Sequence, residues 1–234
     1  MEIKSFASSS KGNSYIIKYK NTCIILECGL PFKDIKKEVD GCDAYVLLSH
    51  EHQDHAKYVE TYLKMGFDVY TSNGTKNALI EKNSKLSKYI NFKSCYEKFI
   101  ISFKEFYIYA FSTQHDSREP FGFYIKNYET KECVMFATDT YYIKQRFSRI
   151  DYLMIECNYS KELLEKDLYI SKAQKIRLLQ SHFEIENVKN FIKNNNKYLK
   201  EIYLLHLSSK HSNSKQFKDE IERISGVPTF ICDE

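Results

Sequence analysis

The sequence predicts an α/β fold. Short apolar runs recur along all 234 residues, and their length suits buried strands. Several are followed by segments with helical spacing, and strand-then-helix repetition implies parallel sheet neighbours. The runs ending at Leu48, Thr113, Ala137 and Leu205 each lead into His or Asp, at the strand C-termini where ligands collect in such folds.

The elements follow in order. Ile3 to Ala7 is a short strand, and Ser8 to Asn13 is a turn by composition. Ser14–Tyr19 and Cys23–Glu27 form a hairpin around Lys20-Asn21, and Asp34 to Asp40 is a short charged helix or loop. Ala44–Leu48 is a buried strand. Ala56 to Lys64 carries Tyr58, Val59, Tyr62 and Leu63 at helical spacing, and Gly66 ends it. Phe67–Thr71 is a strand, and Asn73 to Glu81 a helix. From Ile90 to Thr113 the pattern is mostly β. Phe121–Ile125 and Cys133–Ala137 pair as a hairpin, and Asp151–Cys157 is another strand. Lys161–Lys166 and Glu186–Asn194 are helices. Glu201–Leu205 is a strand, Lys215–Ile224 the final helix and Thr229–Cys232 the last strand. No linker, low-complexity tract or tandem repeat interrupts the chain, so residues 1–234 read as one domain.

Net charge is +4, with both signs interspersed; this mildly favours anionic partners. Seven cysteines, an odd number without Cys-x-x-Cys, read as free thiols in a reducing cytoplasm. The N-terminus has no secretory pattern. No apolar stretch is long enough to span a membrane, so no membrane partner is expected.

The chemistry centres on Ser49-His50-Glu51-His52-Gln53-Asp54-His55. In extended backbone His50 and His52 point the same way. Asp54 and His55 then fall in the first turn of a helix. Imidazole and carboxylate together suit zinc, manganese or iron. His115, Asp139 and His206 each follow an apolar strand, and side-by-side strand ends can bring them to the same place. Seven ligands exceed what one tetrahedral ion takes. Two ions sharing a carboxylate would use them all, at a spacing of about 3.5–4 Å. Ser8 to Asn13 is either a plain hairpin corner or an anion-binding nest, with Ser9, Ser10 and Asn13 placed to orient a phosphate.

These motifs resemble the metallo-β-lactamase fold hydrolases over almost the whole chain. The resemblance implies a four-layer αββα sandwich with the site along one edge. It also implies His50, His52 and His115 on a first metal, Asp54, His55 and His206 on a second, and Asp139 as the bridge. An Asp at the bridge, not Cys, is the pattern of phosphodiester and thioester hydrolases. A narrower set resembles the YycJ-like (WalJ-like) subfamily, regarded as 5′-to-3′ DNA exonucleases. It comprises Phe6–Ser14, His115-Asp116, Pro120–Phe123, Thr138–Thr140, Glu156–Asn158, Ser181-His182 and His206–Ser208. The chain departs from it in having Cys157 and Tyr159 where Glu-Ser-Asn and then His are common.

The implied function is a dinuclear metal-dependent phosphodiesterase or nuclease acting on DNA or a nucleotide. Asp54 and His182 are the catalytic candidates, with His182 protonating the leaving alkoxide after hydroxide attack on phosphorus. Lys161–Lys175 and Lys210–Lys218 are candidate tracks for a nucleic-acid backbone, and His211 reads as solvated in a polar loop. The same site could instead cleave a cyclic nucleotide, thioester or lactone. A nucleic-acid-binding module without turnover is the third reading, although binding alone needs no open two-metal site.

Overall fold

A computed structural model describes residues 1–98 and 100–232. The first sheet comprises β1 (Glu2–Ser9), β2 (Gly12–Tyr19), β3 (Thr22–Leu26), β4 (Asp43–Leu47), β5 (Asp68–Ser72) and β6 (Phe92–Cys95), in that order across the sheet. The second comprises β7 (Ile100–Phe103), β8 (Phe106–Ser112), β9 (Phe121–Asn127), β10 (Cys133–Ala137), β11 (Tyr152–Glu156), β12 (Glu201–Leu205) and β13 (Thr229–Ile231), also in sequence order. Each sheet opens with antiparallel hairpins and ends in parallel strands, β3 to β6 and β10 to β13.

The two-residue strand period explains the layers. Ile17, Ile24 and Leu47 face the second sheet, where they join Phe106, Phe123 and Phe136 in one buried cluster. Their neighbours Ile16, Ile25 and Val46 face outward and are covered by Phe32 and Ile35 of α1 (Phe32–Val39) and Tyr62 and Leu63 of α3 (Val59–Lys64). On the other side, α7 (Ile185–Asn195) and α8 (Ser214–Ser225) lay Val188, Ile192, Phe217 and Ile221 on Leu153, Ile155 and Leu204. The result is the expected four-layer αββα sandwich.

The structure corrects several local expectations. The turn expected over 8–13 narrows to Ser10-Lys11, because Ser8 pairs with Asn13 and Ser9 with Gly12 in the β1–β2 ladder. The helix expected over 56–64 is two pieces, α2 (Gln53–Ala56) and α3. Of the β span expected over 90–113, residue 99 lies outside the described residues. After α4 (Asn73–Lys82) and α5 (Lys161–Lys166) comes a helix that periodicity did not mark, α6 (Lys172–Ser181). Ser181 is its buried residue, while Ile176 and Leu179 are exposed. The amphipathic signal is therefore weak, although Ser171 and Gln174 form a capping box at its start. Cys23, Cys28, Cys42, Cys95, Cys133 and Cys157 are free thiols. No helix among the described residues is long and apolar enough to cross a membrane.

Candidate metal centre

The C-terminal ends of four strands deliver the histidines and aspartates. His50 follows β4, His115 follows β8, Asp139 follows β10 and His206 follows β12. His52 stands at the N-terminus of α2, whose first turn holds Asp54 and His55. Asp139 and His206 take positive φ, +44° and +51°, a conformation rare for residues with a Cβ and concentrated at functional sites.

Their ligand atoms converge. Those of His50, His52, His115 and Asp139 lie within 4.8 Å of one another, as do those of Asp54, His55, Asp139 and His206. The two groups share Asp139. Its Oδ2 is 3.8 Å from His50 Nε2, 3.5 Å from His115 Nε2 and 3.4 Å from His55 Nε2. Asp54 Oδ2 is 3.2 Å from His55 Nε2 and 3.4 Å from His206 Nε2. His52 approaches with Nδ1, 3.1 Å from His115 Nε2. A third group, Asp139, Glu156, His182 and His206, overlaps the second.

Around the centre, oxygens fix the far nitrogens of these rings. Ser49 Oγ is 2.8 Å from His50 Nδ1, and the Ser181 carbonyl 2.9 Å from His115 Nδ1. His55 Nδ1, 3.4 Å from Glu27 Oε2, is buried without a hydrogen bond among the described residues, whereas Glu156 Oε1 is 3.3 Å from His206 Nδ1. Such partners hold a proton on the outer nitrogen and turn the other lone pair inward.

The sequence model of the beta-lactamase superfamily domain matches residues 27–192, most of the chain. The chain belongs to the beta-lactamase superfamily. No curated protein sequence matches it. Among solved structures it is similar to the metallo-beta-lactamase fold protein YhfI from Bacillus subtilis, at TM-score 0.75 and 16% identity, covering 98% of this chain and 95% of that one. Human tRNase Z, short form, matches at TM-score 0.64 and 13% identity over 100% and 97% of the two chains. A diphosphatase from the PhnP family matches at TM-score 0.69 and 13% identity over 98% and 93%. These proteins share the fold of this superfamily member.

The donor set of this beta-lactamase superfamily chain fits divalent cations. His50 Nε2 and His206 Nε2 are buried and make no hydrogen bond among the described residues. A buried polar atom left so is costly, and a cation in each of the two donor groups would satisfy them. Electrostatics agree. Burial tends to raise the Asp139 carboxyl, but the charges of His206 and His55 hold it well below the usual carboxylate range. Burial, then the His55 charge, push His50 well below an ordinary imidazole. His206 is carried to about 10 against its burial, chiefly by Asp139. The cluster is thus a buried carboxylate balanced by positive charge that protons or cations can supply.

The centre opens into a cavity of about 550 Å³, lined by His52, Asp54, His115, Asp139, His182 and His206 among others. His182 belongs there: its Nδ1 is 2.5 Å from Glu156 Oε1. Ser10 lines this cavity, and Ser9 and Ser10 line an adjoining hollow of about 740 Å³. Asn13 differs from the expectation. It is fully buried, and its amide donates to the Ser9 carbonyl at 3.0 Å while facing Asp54 Oδ2 at 3.3 Å and His55 Nε2 at 3.2 Å. Pairing with Ser8 across the hairpin turns it inward, toward the cluster. His211, read as solvated, is also buried, with Nε2 2.8 Å from Asp167 Oδ2.

Sequence reasoning gave no role to Glu27 and only quoted Glu156 within a motif. Both are fully buried. Their signal was available: each is a charged residue closing an apolar strand.

Proposed function

We propose that the chain, acting as one domain over residues 1–234, is a dinuclear metal-dependent hydrolase of phosphodiesters. In this reading His50, His52 and His115 hold one divalent cation, Asp54, His55 and His206 the other, and Asp139 bridges them. The observation that supports it most is the meeting of two ligand groups at Asp139, with His50 Nε2 and His206 Nε2 buried and without hydrogen bonds. A mixed imidazole and carboxylate set suits zinc, manganese or iron.

Bound cations supply Lewis acidity and lower the pKa of water at the site. The chain's own residues do the rest. Asp54 both ligates and orients, reaching into the cavity from the first turn of α2. Asn13 holds Asp54 and His55 in place. His182 donates a proton from Nε2 to the leaving oxygen. Glu156 fixes its Nδ1, and raises the imidazole pKa against the effect of burial. Ser9 and Ser10 receive the non-reacting part of the substrate from the adjoining hollow.

The substrate reading is a nuclease, in the manner of the 5′-to-3′ DNA exonucleases of the YycJ-like subfamily. It is supported by the Asp at the shared position and by structural neighbours named as a tRNase and a diphosphatase. The test is metal analysis with a cleavage panel of 5′-labelled DNA, RNA, cyclic nucleotides and a thioester. Purified protein is expected to carry about two transition-metal ions per chain. Asp139→Ala should lose metal and abolish cleavage while the protein stays folded. Normal cleavage by that variant overturns the bridging role. Preference for the cyclic nucleotide or thioester replaces the nuclease reading with a small-molecule one.

A further inference from the structure

A further concave surface begins two residues beyond Asp139. The loop Tyr141–Phe147 and helix α7 enclose a hollow of about 750 Å³ that shares no lining residue with the metal cavity. Covalent geometry keeps its edge close to the centre, because two residues span at most about 7 Å. On the opposite wall Phe183 directly follows His182.

Its chemistry is distinct. Among the described residues its lining contains no carboxylate but includes Lys144 and Arg146. Both are exposed, and neither forms an ion pair with a described residue. Tyr141 and Tyr142 are 39% and 56% exposed as residues. Asn187 and Asn190 stand one turn apart on α7 and make no side-chain hydrogen bond with a described residue. Gln145 Oε1, also in the lining, is buried without a hydrogen-bond partner. Cations for a backbone, aromatic faces for bases and amides for base edges form the combination that binds single strands.

We propose that this hollow is a binding site for single-stranded nucleic acid, holding the nucleotides that flank the bond presented to the metal centre. It rests on the nuclease reading for its purpose, though not for its existence.

The test is fluorescence polarisation of labelled 12-mers, one DNA and one RNA, on the full chain, with turnover of bis(p-nitrophenyl) phosphate measured in parallel. Tyr142→Ala should weaken oligonucleotide binding by about 5- to 150-fold, the effect of one lost base stack. Lys144→Gln with Arg146→Gln should weaken it and lower the slope of log affinity against log salt by about 1.4, for two phosphates at 0.7 each. Turnover of the small diester should be unchanged in both. Unchanged oligonucleotide affinity in both variants overturns the proposal, as does wild-type protein that binds neither 12-mer; small-diester cleavage in that case leaves the hydrolase reading standing. Hollow-dependent binding of a strand that is never cleaved supports the site and sinks the nuclease reading instead. A preference between the DNA and RNA arms identifies which polymer the site serves.

Discussion

Glu156→Gln tests the proton-delivery role proposed for His182. Glu156 is fully buried and has four hydrogen-bonding neighbours. Oε2 accepts from Thr140 N at 2.8 Å and Phe183 N at 3.1 Å. Oε1 faces His182 Nδ1 at 2.5 Å and His206 Nδ1 at 3.3 Å. An amide of the same shape has one oxygen. If that oxygen serves the two backbone N–H groups, its NH2 meets the imidazole Nδ1–H, donor against donor. A charge-assisted hydrogen bond is worth about 1.5–3 kcal/mol, so the anchoring of His182 falls by that amount. At tenfold per 1.4 kcal/mol this is about a 10- to 150-fold loss of turnover wherever a proton must be delivered. His182→Ala removes the donor and should cost about 10²- to 10⁴-fold.

The assay compares two substrates. A dinucleotide leaves as an alkoxide and needs the proton, whereas bis(p-nitrophenyl) phosphate leaves as a stable phenolate and does not. Both variants should fall on the dinucleotide and change by less than about threefold on the phenyl ester. Metal content should be unchanged in His182→Ala, and Glu156→Gln is compared at equal metal occupancy because Glu156 also holds the His206 ring. Equal losses on both substrates would refute the argument, since a residue that only supports the metal centre harms both alike.

Two further outcomes test the frame around the site. A Cβ on Gly29 would lie 2.0 Å from the Asp54 carbonyl oxygen and 2.4 Å from Asn13 N; Gly29→Ala should therefore destabilise by about 3 kcal/mol or more in chemical denaturation, and lower metal content with it. Glu132 is drawn from its ordinary 4.5 to about 2, against its burial, by Lys200, the N-terminal ammonium and Tyr152. A depressed carboxyl contributes stability that is present above its unfolded pKa and lost as pH falls through its folded one. Glu132→Gln should thus cost about 1–2 kcal/mol at neutral pH, less than the full shift because Lys200 is half exposed. Denaturation of the two proteins should converge between pH 4.5 and 2, and a constant difference over that window would refute the pairing.

The legible part of the site was the part written locally. His50, His52, Asp54 and His55 lie within six residues, and their alternation across a strand end and a helix turn follows from backbone geometry alone. His115, Asp139 and His206 were found by a rule that needs no coordinates: a polar residue following an apolar strand in an α/β chain. The misread residues were those whose meaning depends on what covers them. His211 stands in a polar segment, yet the loop after α5 brings Asp167 onto it. Asn13 sits in a serine-rich turn, yet its pairing with Ser8 points it at Asp54. Helix α6 buries too little for its periodicity to show, although Ser181 at its end carries the carbonyl that holds His115.

The sequence by itself determined the α/β class, most of the strand and helix order, α6 excepted, and the identities of seven candidate ligands, because strand period, turn chemistry and donor type are properties of neighbours along the chain. Only the tertiary structure decided that Asp139 stands between two groups of imidazoles, that Glu27 and Glu156 lie buried behind His55 and His206, and that Tyr142 and Arg146 frame a hollow beside them. Those facts depend on which strand ends lie side by side and which surfaces exclude water. Both are settled when the two sheets close on each other, and the local pattern offers at most a hint of them, as where Glu27 and Glu156 close apolar strands.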